Sequence, residues 1–381
     1  MSDVPSVKIP EGLVYLDNNA TTACAPEVIA AMAPYWASAF GNAESGHLAG
    51  RIARRAVEAA RTTVADAFDA DPNQIFFTSG ATEGNNWIFQ AFADSNSTAR
   101  RVVASAIEHK SVLNAAKRLE AFGFDVCLLP VTGDGVVDLV AAREAIKLGT
   151  GLVSVQLANN ETGVIQPVSE LVELAHSAGA FFHCDAVQAL GKMPFSLVDL
   201  GVDSAAFSAH KVHGPKGVGF LYLRSGANRF PFPKPLAGGG QERGVRPGTH
   251  NVPGIAGLLA GMEYVMDRGL DSIMQADREL LDIAVSELSG AEGLELFTGP
   301  ETAQSGVLSL RIRDMDCDEA AQFLSERGIC LRSGLHCAPL AHRTAGTLET
   351  GTLRMSFSPF TSREELKICC GTLRELSVRG H

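Results

Sequence analysis

Between about residue 75 and residue 225 one pattern recurs: a short run of β-branched or aromatic residues, then a stretch with helical spacing. "QIFFT" precedes a helix opening near "ATEGNN", "RVVAS" precedes "HKSVLNAAKRLEAF", and "DVCLLP" precedes "DLVAAREAIK". "LVSVQLA" is followed by "VSELVELAHSAG", and "AFFHCD", "SAAFSAH" and "GVGFLYL" complete the series. Strands apolar along nearly their whole length, rather than alternating, are covered on both faces. Separated by helices, they predict an α/β fold with a mostly parallel sheet. In such sheets ligands sit beyond the carboxyl ends of the strands. The residues just after each strand are therefore where chemistry is expected.

Downstream, "PFPKPLAGGGQERGVRPGTHNVPG" is rich in Pro and Gly and reads as a long loop, a feature that is often functional in a compact chain. "IAGLLAGMEYVMDRGLDSIMQADRELLDIAVSEL" reads as one long helical region able to bridge domains. "GVLSLRI", "DEAAQFLSERG", "ICLRSG", "TLRMSFS" and "SREELKICCGTLREL" then predict a second, smaller α/β unit. A chain of 381 residues suits two or three domains at about 100–200 residues each.

The net charge of -11 disfavours nonspecific attraction to nucleic acid or an anionic membrane. No uncharged apolar run approaches the ~18 residues of a membrane span. "MSDVPSVKIPEGL" has no leader pattern, so a cytoplasmic location is the expectation. The eight cysteines lack CxxC pairs and zinc spacing, which predicts free thiols and no metal site. Cys127 and Cys184, inside apolar strands, read as small buried hydrophobes, and Cys369 and Cys370 as structural.

Four strand ends carry the candidate chemistry. In "FFTSGATEGNN" the helix start at Ala81 and Thr82 offers unpaired amides and positive potential to a phosphate, although taken alone the stretch reads better as a plain capped turn. "FFHCDAVQALG" ends a strand at Asp185, a carboxylate that needs a cationic partner if buried, with Gln188 three residues on. "LANNETG" presents Asn160, and "IEHKSV" presents His109, able either to lie on a ring or to cap a helix. "SAAFSAHKVHGPKGVG" places Lys211 where a strand stops and the backbone turns. A phosphate cradle, a carboxylate and a strand-end lysine together match the needs of pyridoxal phosphate, held by a lysine Schiff base with an Asp at its ring nitrogen.

"YLDNNATT", "FTSGATEGNN", "ANNETG", "HCDAVQALGK", "SAHKVHGPKGVG" and "GGGQERGVRPGTHNVPG" resemble, in order and spacing, the NifS/IscS-type cysteine desulfurases. These are class V, fold-type I pyridoxal-phosphate enzymes. The resemblance implies a large cofactor-binding domain over 15–255 and a small domain over 256–381, joined by 1–14, that carries the active cysteine. It implies that Lys211 bears the cofactor, His109 stacks on its ring and moves protons, Asp185 pairs with its nitrogen and Gln188 with its phenolic oxygen. Asn160 supports the same edge of the ring, and Ala81, Thr82, Ser208 and His210 hold the phosphate. Thr249 would come from the neighbouring subunit, making a homodimer with shared sites. Arg354 would grip the substrate carboxylate and Cys337 would be the nucleophile that takes sulfur from L-cysteine. A protein acceptor would then receive that sulfur for iron–sulfur cluster or thio-cofactor synthesis. "RSGLHCAPLAH" is closer to the SufS-type branch, with a shorter, histidine-bearing loop. That predicts a thiol that stays near the pocket, with the acceptor coming to it. His336 beside it would favour the thiolate. The rival readings are a class V aminotransferase, which needs no nucleophilic cysteine, a selenocysteine lyase, and a partner-binding component without turnover.

Overall fold

The computed structural model describes residues 12–95, 97–226, 231–298, 304–334 and 351–379. Its strands are β1 (Val14–Tyr15), β2 (Ile75–Thr78), β3 (Arg101–Ser105), β4 (Asp125–Leu129), β5 (Thr150–Ser154), β6 (Phe181–Asp185), β7 (Ser204–Ser208) and β8 (Gly219–Leu223), followed by β9 (Leu294–Phe297), β10 (Val307–Ile312), β11 (Ile329–Cys330), β12 (Arg332–Gly334) and β13 (Thr352–Ser356). The large sheet runs β2-β8-β7-β6-β5-β3-β4. Its pairs from β4 through β7 are parallel, and β8 is antiparallel to both β7 and β2. Every strand except β8 therefore points its carboxyl end to one edge. The mostly parallel α/β sheet expected from the sequence is the one observed.

The sheet is covered on both faces because its strands are apolar on both. All residues of β2, β5, β7 and β8 are buried. Phe207 and Phe220 stack across β7 and β8 with centroids 4.3 Å apart, and Phe68 stacks on Phe207 at 5.4 Å. Trp87, Phe89 and Phe92 of the helix Ala81–Ala93 pack on the opposite face. β4 departs from the expected pattern. As the outermost strand it leaves Asp125 and Leu128 exposed and Cys127 half-buried, so only Cys184 fits the buried-thiol expectation.

The long helical region is two helices, Val252–Met266 and Leu270–Leu288. Gly269, at φ +77°, breaks it in a conformation that costs other residues steric strain. The first helix buries Ile255, Leu258 and Met262 in the core of the large sheet. The second buries Leu280, Leu281 and Ala284 against the smaller antiparallel sheet β12-β13-β10-β9. The boundary expected at 255/256 thus falls inside a helix that packs with the large sheet. Cys369 and Cys370, on the helix Arg363–Arg379, are buried in the second core, as expected of structural thiols.

β1 pairs with β11, and the chain then crosses to the carboxyl edge of the large sheet. Asn18 Nδ2 donates to Ser356 O at 3.0 Å, while Thr22 N donates to His210 O at 2.9 Å. Residues 17–22 therefore tie both sheets together at the site. Among the described residues no metal-ligand cluster forms, all seven described cysteines are free, and no helix is long and apolar enough to cross a membrane.

Candidate active site

A cavity of about 250 Å³ opens at the carboxyl edge of the sheet. The structure brings Ala81, Thr82, Ser208, His210 and Lys211 to one side of it. His109, Asn160, Asp185, Gln188 and Arg354 complete the wall. Each of the first nine ends a strand or opens the following turn, and Arg354 reaches in from β13 of the small sheet.

The anion-binding corner forms where β2 turns into the helix Ala81–Ala93. Gly80, at φ +144°, makes the turn, and a Cβ there would stand 3.3 Å from Ser208 Oγ. Ala81 N donates to that hydroxyl at 2.9 Å, so Ser208 and the helix start form one unit. A wider hollow continues past it, lined also by Thr21, Ser79 and Lys216. His210 Nδ1 stands 3.2 Å from Thr21 Oγ1, and burial together with Lys211 and Lys216 pushes the imidazole down to about 4. It is neutral near pH 7 and able to donate a hydrogen bond without carrying charge.

Asp185 sits at the end of β6 with its carboxylate fixed from two sides. Asn85 Nδ2 donates to Oδ2 at 2.8 Å and Val187 N donates to Oδ1 at 3.2 Å. Asn85 in turn accepts at Oδ1 from His183 Nε2, 2.9 Å away, and His183 Nδ1 stands 2.8 Å from Ser204 Oγ. Complete burial holds His183 far below its usual range, at about 3. A neutral ring with its proton on Nε2 satisfies both contacts, and the Ser204 hydroxyl then donates to Nδ1. His109 caps the helix Lys110–Glu120, accepting from Ser111 N at 3.1 Å, and also faces the cavity. The helix-cap reading of this histidine is the one the contacts describe.

Lys211 Nζ donates to the carbonyls of Asn19 and of Ala20, the latter at 2.8 Å. Burial, then the positive charges of Lys192 and Arg354, lower its pKa from 10.5 to about 7. Asp17 and Asp185 oppose that shift. A substantial fraction of the amine is thus uncharged and nucleophilic at neutral pH. Gln188 is engaged at both ends of its amide: Nε2 donates to Asn19 O at 3.1 Å and Oε1 accepts from Lys192 Nζ at 3.1 Å. One N–H of the amide remains for a ligand. Arg354 gives Nη1 to Asn160 O at 2.9 Å and Nη2 to Asp17 at 2.7 Å.

The set fits the cofactor expected from the sequence. It supplies amide and hydroxyl donors for an anion, a buried carboxylate for a protonated ring nitrogen and a neutral amine for an aldehyde. Two buried polar atoms of the lining residues, Asn160 Oδ1 and Arg354 Nε, have no hydrogen-bond partner among the described residues. Buried polar atoms are rarely left so.

Two predicted residues stand apart. Cys337, with its neighbour His336 and the short loop around them, lies outside the described residues. Thr249 is exposed beside a different hollow, with Ser79, Arg246 and His250, and away from Lys211 of its own chain. Asn19, Asn85, His183 and Lys192 were not singled out from the sequence. "YLDNNATT", "ATEGNN" and "HCDAVQALGK" contain all four, but an amide or a histidine announces a partner only once the fold supplies one.

Comparison with known proteins decides the family. The model of the aminotransferase class-V family matches residues 14–368. The chain belongs to that family. Within it, a cysteine desulfurase of Cereibacter sphaeroides is 40% identical over 93% of this chain and 92% of its own length. A solved NifS-like protein superposes with a TM-score of 0.89 at 37% identity, covering 96% of this class-V chain and 99% of its own. A structure of SspA in complex with cysteine gives a TM-score of 0.78 at 30% identity, over 91% and 99% of the two chains. The expected NifS/IscS-type resemblance and the fold-type I architecture are borne out.

Proposed function

We propose that this chain is a pyridoxal-phosphate-dependent cysteine desulfurase, which takes sulfur from L-cysteine to leave L-alanine and a persulfide on Cys337. The observation that carries the reading is the meeting, in one cavity, of a lysine amine depressed to about 7 with the fixed carboxylate of Asp185 and the helix start at Ala81. The relatives named cysteine desulfurase select this reaction from those open to the family.

Pyridoxal phosphate, when bound, supplies an electron sink for the charge that develops at the substrate Cα. Lys211 holds its aldehyde. Asp185, itself oriented by Asn85, would keep a proton on the ring nitrogen, and His109 would be the residue beside the ring. The Ala81 amide, Thr82, Ser208 and His210 take the phosphate, while Asn160 and the spare N–H of Gln188 serve the phenolic edge. Arg354, which lines the cavity, would receive the substrate carboxylate. Lys211 Nζ, with a pKa close to the working pH, takes and returns the Cα proton. The Cys337 thiolate attacks the substrate sulfur: the new S–S bond forms as the C–S bond breaks, and Cβ gains a proton to become the methyl of alanine.

The wider reading follows the same resemblance. The protein works in the cytoplasm as a homodimer that shares Thr249 across subunits, and an acceptor protein receives the sulfur for iron–sulfur cluster or thio-cofactor synthesis. The chain divides into two units, with the break at Gly269 between the two long helices.

The test is Cys337→Ala. It should abolish sulfide and alanine formation from L-cysteine while the protein still takes up pyridoxal phosphate and shows its absorbance. Undiminished turnover would make the protein a class V aminotransferase instead. Faster turnover of L-selenocysteine that survives the substitution would make it a selenocysteine lyase.

A further inference from the structure

Behind Lys211 lies a second, small space of about 10 Å³, the size of one water. Lys192, Asp277, His213 and Lys211 all face it. Lys192 and Asp277 are only 8% and 4% exposed, and neither has a role in the chemistry above. Asp277 comes from the helix Leu270–Leu288 of the second unit, Lys192 from the turn after β6. Lys192 Nζ donates to Asn19 Oδ1 and to Gln188 Oε1. Asn19 is the residue whose carbonyl receives Lys211, and its Nδ2 donates to Asn160 O at 3.0 Å. One buried cation thus grips the residue that positions the reactive amine.

We propose that Lys192, held charged by Asp277 across this space, is a positioning residue that keeps the Lys211 amine unprotonated and aimed through Asn19. This rests on the reading of Lys211 as the cofactor-bearing lysine. Two ammonium groups sharing one buried amino acid cannot both hold a proton cheaply, and the group nearer a counterion keeps it. Arg354 acts against both amines; Asp277 acts in favour of Lys192, and Asp17 and Asp185 in favour of Lys211, which has Lys192 against it as well. His213 on the same wall is pushed by burial down to about 4 and adds no charge at neutral pH. Burial lowers both amines, and the charge of Lys192 pushes Lys211 down further while Asp277 draws Lys192 back up. Burial raises the Asp277 carboxyl and the charge of Lys192 draws it back down, so each of the two favours the charged form of the other.

The test reads Lys211 directly, without turnover. The full chain, freed of bound aldehyde with hydroxylamine, is labelled competitively with acetic anhydride across pH 5–10, and the Lys211 peptide is quantified by mass spectrometry. Lys192→Met should raise the labelling midpoint of Lys211 by about one pH unit, or about tenfold slower labelling at neutral pH. Lys192→Arg should restore it, and Asp277→Asn should move it in the same direction as Lys192→Met by letting Lys192 lose its proton earlier. If Lys192→Met does not fold, Lys192→Gln, which keeps a hydrogen bond to Asn19, gives the same reading. A midpoint unchanged in the folded neutral variants and in Asp277→Asn overturns the proposal. Shifted midpoints in a protein that releases no sulfur from cysteine would sink the desulfurase reading and leave this one standing.

Discussion

Burial of Lys211 has a thermodynamic consequence in the cofactor-free protein. Its folded pKa of about 7 lies below the 10.5 of an unfolded lysine. Between those values the unfolded state binds more protons, so this residue makes stability rise with pH across that window. Lys211→Met removes the contribution. In urea titrations the stability difference, wild type minus variant, should climb from pH 7 towards pH 10, and a flat difference would show an amine with an ordinary pKa. The residues around Lys211 also show what a sequence discloses. Asp185, His109, Asn160 and Lys211 were legible because each stands where a strand gives way to a turn. Asn85 was not, because a mid-helix asparagine is ordinary until Asp185, Ser111 and His183 converge on it. Lys192 was hidden for the same reason, since nothing local says that Asp277, far along the chain, will face it.

Among the elements, the glycine-rich loop shows how a polar segment is fixed. Glu242 and Arg243 both hold positive φ, 47° and 55°, a strained region for residues with a Cβ. The strain persists because Glu242 is buried and fully bonded. Arg61 meets it with two bonds of 2.8 Å, Phe77 N donates at 2.9 Å, and His250 Nε2 stands at 2.7 Å. Despite the opposing effect of burial, these bonds hold its carboxyl down at about 2. Its contribution is present above the ordinary carboxylate value of 4.5 and is lost as the pH falls from there towards 2. Glu242→Gln strands Arg61 in the core and should cost about 3–5 kcal/mol at pH 7, measured by urea unfolding, with the deficit shrinking below pH 4. A loss within ~0.5 kcal/mol would mean the loop needs no such anchor. The strand series was readable from apolar runs, whereas β4 was misjudged because a run does not say which strand lies outermost. The break at Gly269 was likewise overridden by the helical spacing on either side of it.

At the scale of the molecule, the site draws on both the seven-stranded and the four-stranded sheet. Arg354 reaches from the small sheet to Asn160, and Asp17 lies between β1 and the large sheet. The exposed position of Thr249, away from its own Lys211, suits a role in a partner's site. Under the proposed dimer, Lys211→Ala and Thr249→Ala homodimers should each be impaired. Mixed and reassembled, they form heterodimers with one intact site, so activity should recover to as much as about half of wild type within the heterodimer fraction. No recovery after verified subunit exchange would place Thr249 outside the shared site. The two sheets were visible in the sequence as two strand series, while the way their edges meet depends on long-range contacts of residues 17–22 that no local pattern specifies.

The proposed chemistry rests on the strand-end amine of Lys211 carrying the cofactor. The direct measurement is to supply the protein with pyridoxal phosphate, reduce with borohydride, digest and map the labelled peptide. The account predicts a single pyridoxyl group on Lys211, between Ala209 and Val212. A label on Lys192 or Lys216 in its place, or none on a folded protein, would contradict it.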